Sequence, residues 1–238
     1  MKLKFSAMLI IAALFAAFGA SAAVNLDGKH FQGIGKIKGQ PIDCWVDMNF
    51  DDTDIEFNVS DAYKFGASYT AKAVGDKVTV TAKVPGAAAT TLTSTDGGST
   101  FQGNISLNGQ ALNLWVLNVP AKIKPSEKPA AELESVIGDP DGYTAFVLVS
   151  LPGGQQMCAT SEFAFNGGDK TFRMTCDSPS LQKIFGNMQG SYTVDGSEIV
   201  MTDSTGKTVR GSICDDGYYL KIPMGSAQGI TLTLVLIK

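Results

Sequence analysis

Two tryptophans stand beside carboxylates and amides. In PIDCWVDMNF (41–50) Ile42, Cys44, Val46, Met48 and Phe50 share one face by two-residue alternation, so Trp45 stands on the other with Asp43, Asp47 and Asn49. In ALNLWVLNV (111–119) Trp115 shares the face of Asn113, opposite Leu112, Leu114 and Val116. An aromatic plate flanked by carboxylates and amides suits a sugar ring or a protein hot spot. Trp45, Asp43, Asp47 and Trp115 are therefore the candidate ligand-binding residues. The competing expectation is that the connector or the other half of the chain covers both rings, because large exposed apolar surface is rarely left wet.

Catalytic patterns are harder to find. The chain has one histidine, His30. A serine triad, a two-histidine metal site and an HExxH helix are therefore not expected. The acidic run DMNFDDTDIE (47–56) spaces Asp47, Asn49 and Asp51 like the start of a calcium loop. That loop needs Gly at its sixth position and Glu at its twelfth, and here Asp52 and Asn58 stand there. Met48, Phe50, Ile55 and Phe57 alternate with the acids, which reads as a surface hairpin. GIGKIKG (33–39) lacks the GK[ST] ending of a phosphate loop and sits in a strand. No catalytic, metal or cofactor residue is assigned. A hydrolase relying on carboxylates alone, such as Asp51, Asp52 or Asp54, is the remaining enzymatic alternative.

The cysteines are Cys44, Cys158, Cys176 and Cys214. Cys158 and Cys176 flank one hairpin and are the nearest pair for a disulfide. A two-residue turn puts them on opposite faces and opposes the bridge, whereas a three-residue turn brings them to one face.

The first 22 residues, MKLKFSAMLIIAALFAAFGASA, read as a signal peptide. Lys2 and Lys4 precede an apolar stretch too short to span a membrane, and Ala20-Ser21-Ala22 suits cleavage. The expected location is the periplasm or the extracellular space, with no membrane span. Losing Lys2 and Lys4 takes the 19 basic residues to 17 against 23 acidic ones, a net charge of −6. Arg173 and Arg210 are the only arginines, so nucleic acid is not an expected partner.

The elements that must position these groups are β-strands. FQGNISLNGQALNL (101–114) matches VRGSICDDGYYLKI (209–222) at an offset of 108, and two further pairs follow in order. SYTAKAVGDKVTV (68–80) answers SYTVDGSEIVM (191–201), and IDCWVDMNF (42–50) answers MCATSEFAF (157–165). Three ordered matches argue for an internal duplication. Residues 120–138, rich in Pro, Lys and Glu, read as a connector with one helical turn at Ala130–Val136. The expected domains are repeat 1 over 23–119 and repeat 2 over 139–238. In the second repeat eight short strands follow one another, interrupted by one helix over 178–189. A two-residue turn at Gly167-Gly168 would set Glu162 opposite Arg173 and leave Phe163, Phe165, Phe172 and Met174 on the apolar face. The Asp216-Gly217 turn puts Ile213 beside Leu220. The fold class is all-β: two tandem antiparallel up-and-down barrels of about eight strands each, whose closure removes exposed edges. A β-sandwich satisfies the same alternation.

The run GSYTVDGSEI (190–199), its partner Gly66–Val78 and the meander around them resemble the calycin superfamily, the lipocalin- and avidin-type barrels, in the reduced form of exported bacterial proteins. The resemblance covers roughly 26–119 and 139–238, and it implies the barrel fold but no binding residue.

Inward faces carrying Phe, Met, Ile and Val point to filled interiors. The functional expectation is thus an exported, non-catalytic binding protein holding a glycan or a protein partner on an outer barrel face. The alternative is a carrier of a small apolar ligand inside one barrel.

Overall fold

The computed structural model describes residues 21–40, 43–107, 109–153, 156–175 and 188–238. The leader through residue 20, most of the helix expected over 178–189, and Cys176 lie outside the described residues.

The chain opens with a short strand, β1 (Ala22–Ala23), followed by β2 (His30–Ile37), β3 (Asp43–Asp51), β4 (Asp54–Val59) and β5 (Tyr63–Val74). Next come β6 (Lys77–Lys83), β7 (Thr90–Ser94), β8 (Thr100–Leu107) and β9 (Gln110–Val119). Each of β2–β8 pairs antiparallel with its successor, and β9 returns to β2 through Ile34↔Trp115 and its neighbours. This is a closed eight-stranded antiparallel barrel. Alternation decides its inside: Phe31, Val46, Met48, Ile55, Phe57 and Phe101 all point to one buried core. Val24 and Leu26, just after β1, pack against that core, and β1 itself pairs with Lys72 and Ala73 of β5. Gly33 is required where β2 crosses β9, because a Cβ there would lie 2.2 Å from the Trp115 carbonyl oxygen.

After the connector, α1 (Ala130–Ile137) leads to β10 (Tyr143–Ser150), β11 (Gln156–Asn166), β12 (Thr171–Thr175) and β13 (Gln189–Asp195). Then follow β14 (Glu198–Asp203), β15 (Thr208–Cys214), β16 (Tyr219–Ala227) and β17 (Ile230–Ile237). These strands also pair in sequence, and β17 returns to β10. The second ring encloses Tyr143, Phe163, Phe165, Phe172, Met174 and Tyr192. Leu133 and Ile137, one helical turn apart on α1, are fully buried against that core. The helix expected at the connector therefore belongs to the second barrel's packing. Tyr143 holds the same end by donating its hydroxyl to the Gly217 carbonyl at 2.5 Å.

Two sequence expectations change. The β11–β12 connection is four residues long, so Phe165 faces Phe172 and Ala164 faces Arg173, with Glu162 opposite Thr175. Register moves by two, which keeps every side chain on its expected face but separates Glu162 from Arg173. The 101–114/209–222 match falls on β8–β9 in the first ring and β15–β16 in the second, which are the seventh and eighth strands against the sixth and seventh. Any two hairpins with an Asx-Gly turn between alternating runs resemble each other this way. The other two matches fall on equivalent strands, β3 with β11 and β5–β6 with β13–β14. Elsewhere the expected register holds at Ile213↔Leu220, and the hairpin expected over 47–56 forms as β3–β4, with Asp51 opposite Asp54.

Candidate functional site at the barrel junction

Strands β3 and β9 flank β2, so Trp45 and Trp115 both lie beside Ile34 on the outer wall of the first barrel. The wall is not open. Phe146, on the outer face of β10, meets Trp45 edge-to-face at 5.4 Å and Trp115 at 5.9 Å, and Trp45 keeps only 6% of its surface. Ile34, Val119, Leu148, Val235 and Ile237 complete a third apolar cluster between the two rings. A short ladder joins the rings beside it, with Met157↔Cys44 and Cys158↔Asp43 pairing β11 to β3. The aromatic pair expected to meet an outside ligand is thus largely occupied by the second half of the chain.

The carboxylates take separate roles. Asp43 sits in the inter-barrel ladder, 3.7 Å from the Lys36 amine; burial pushes its pKa up while Lys36 opposes the shift. Asp47 centres a polar network. His30 Nε2 lies 2.9 Å from Asp47 Oδ1, while His30 Nδ1 lies 3.1 Å from the Pro120 carbonyl. Gln32 Nε2 donates to Asp47 Oδ2 at 2.9 Å, and Asn49 Nδ2 donates to Oδ1 at 3.0 Å. Tyr219 of the second barrel donates its hydroxyl to Gln32 Oε1 at 3.1 Å. Burial pulls the His30 pKa down, but the bond and charge of Asp47 and the Pro120 carbonyl outweigh it, and the net shift is upward. For Asp47 burial raises the pKa, yet His30, Gln32 and Asn49 hold it below the usual carboxylate range.

Cys44 and Cys214 carry free thiols, as does Cys158, whose candidate bridge partner Cys176 lies outside the described residues. Burial pushes the Cys158 thiol well up, which leaves it a poor nucleophile. β3 and β4 form the hairpin expected over 47–56, and among the described residues no group of three or more His, Cys, Asp or Glu side chains is placed to hold a metal ion.

Beside the aromatic cluster lies a cleft of about 420 Å³. Trp45 and Gln32 line it from the first barrel, and Leu148, Gln156, Ser212, Tyr219 and Lys221 from the second, with Ile123 and Pro125 of the connector above. A second cavity, about 250 Å³, lies at the end of the second barrel remote from α1, among Phe172, Met188, Met201, Met224 and Leu232.

Phe146, Leu148, Val235 and Ile237 were not assigned from sequence. Their signal was present: YTAFVLVS (143–150) and ITLTLVLI (230–237) contain apolar runs without alternation, the mark of strands covered on both faces.

Fold and junction define an all-β barrel protein whose two eight-stranded rings are docked wall to wall. The chain matches no family model, no curated protein and no solved structure. Among the described residues no helix is long and apolar enough to cross a membrane.

Proposed function

We propose that the chain is an exported, non-catalytic binding protein that holds a sugar-sized glycan unit in the cleft where its barrels meet. The observation that carries the reading is the cleft itself, about 420 Å³, lined by Trp45 and Tyr219 together with Gln156, Ser212 and Lys221. Aromatic residues together with hydroxyl, amide and amine side chains suit a ring that is apolar on its face and hydroxylated at its rim. Non-catalytic action is supported by the employment of both His30 nitrogens in holding the fold. The two equivalent-strand matches support a tandem origin of the rings. Because Trp45 and Trp115 are the only tryptophans, intrinsic emission reports on the cleft. Titrating the purified chain with a panel of mono- and oligosaccharides should shift that emission with saturation, and Ser212→Phe, which fills the cleft without adding a tryptophan, should abolish binding. A folded Ser212→Phe chain that keeps every ligand of the wild type would refute the reading.

A second reading has its own support. The 250 Å³ cavity is lined by half-buried Met188, Val209, Met224 and Leu232, flexible apolar side chains that adapt to a small apolar guest. An environment-sensitive apolar dye displaced by host lipids, and lost on Met224→Trp, would favour it.

A further inference from the structure

The connector crosses the junction as a strap fastened at two points. Downstream, Pro125 bridges to Cys214 and Ser126 N–H donates to the Ile213 carbonyl at 2.8 Å, with Ser126 Oγ donating to Asp216. Upstream, the Pro120 carbonyl accepts from His30 Nδ1. Residues 121–124 between them are exposed, and Ile123 lines the cleft.

The upstream fastening has a definite protonation requirement. A backbone carbonyl can only accept, so Nδ1 must carry a proton. Asp47 already accepts from two amide donors, which marks it as the ionised carboxylate, so Nε2 must donate as well. Both bonds together need the imidazolium. A neutral ring has one N–H, and the carboxylate is the stronger acceptor, so the Pro120 carbonyl is the partner that loses its donor.

We infer that segment 121–124 is a pH-responsive strap over the inter-barrel cleft, fastened when His30 is protonated and released at Pro120 when it is not. The inference rests on reading the cleft as the binding site. The groups facing His30 fit this role from every side. Asp47 and Asn49 come from β3, and Gln32 from β2 relays to Tyr219 of the second barrel. A cavity of about 400 Å³ beside Pro120 is lined by Lys29, Lys238 and Asp215, charges of both signs. Asp47 is thus the charged group bonded directly to the ring.

Limited proteolysis of the full chain after Lys122, scaled to cleavage of an unfolded substrate peptide, tests this at about pH 6 and about pH 8.5, on either side of the ordinary histidine range. Cleavage should run about tenfold faster at the higher pH, while backbone hydrogen exchange in β5 and β6 does not change. His30→Gln should be cleaved at the fast rate at both pH values. Equal scaled cleavage at both pH values in the wild type, or a variant that follows the wild type, would overturn the inference. The measurement uses no ligand. A strap that responds without any glycan binding leaves the strap standing and removes the cleft reading; a bound glycan beneath a pH-indifferent strap does the reverse.

Discussion

Replacing Phe146 with Ala probes the junction directly. The ring is fully buried outside both lumens, wedged between Trp45 at 5.4 Å and Trp115 at 5.9 Å. Deleting a buried Phe costs about 3–5 kcal/mol through lost transfer energy and the cavity left behind. The two ring pairs account for about 0.5–1.5 kcal/mol each of what area alone would not give. About 4 kcal/mol is therefore expected for Phe146→Ala, and about 1–2 kcal/mol for Phe146→Leu, which keeps volume but loses the ring geometry. The loss should fall on docking rather than on either barrel. In urea followed by tryptophan emission, the variant should show a red shift, as Trp45 gains water, before the barrels unfold. A destabilisation under about 1 kcal/mol with unchanged emission would show that the wedge does not hold the halves together.

Further outcomes follow from other contacts. Gly33→Ala drives a Cβ into the β9 backbone and should cost about 3 kcal/mol or prevent folding, read from thermal melts. Tyr143→Phe strips the Gly217 carbonyl of its donor in a buried setting and should cost about 1–3 kcal/mol in denaturant unfolding. The stability advantage of wild type over His30→Gln should be full below the ordinary histidine pKa of 6.5 and fade as pH rises through the raised folded value. On the acid side, the contribution of Asp47 is present above 3.8 and is lost as pH falls through its lowered value, so unfolding at a series of pH values should give a plateau between these limits. Cys158 should resist thiol reagents in the native protein and react only on unfolding, as counted by mass spectrometry.

Much of this was legible in the sequence because strand side chains alternate strictly. That periodicity alone put Trp45 and Trp115 on the outer wall and Phe163, Phe165, Phe172 and Met174 inside. Hairpin register was readable at Ile213↔Leu220, where the Asp216-Gly217 pair sits at the centre of the 215–218 connection. It slipped by two at 167–170, where Asn166 Oδ1 and Asp169 Oδ1 accept from Gly168 and Thr171 amides and stabilise a longer loop. What covers an outer wall is a long-range matter. Trp45 and Phe146 are a hundred residues apart, and nothing local to either names the other. The polar network was illegible for the same reason, since His30 finds Pro120 only after β9 closes the ring.

Each ring is corked by chain that precedes it: Leu26 for the first, Leu133 and Ile137 for the second. A polypeptide emerging from its amino end therefore produces both corks before there is a bottle to fit them. Closure of either ring waits for its eighth strand to reach its first, a search across some ninety residues in each half, and until then the corks stay greasy and uncovered. Cutting the chain at residue 139 to isolate its second half would discard that half's cork. A fragment meant to stand alone should begin before Ala130.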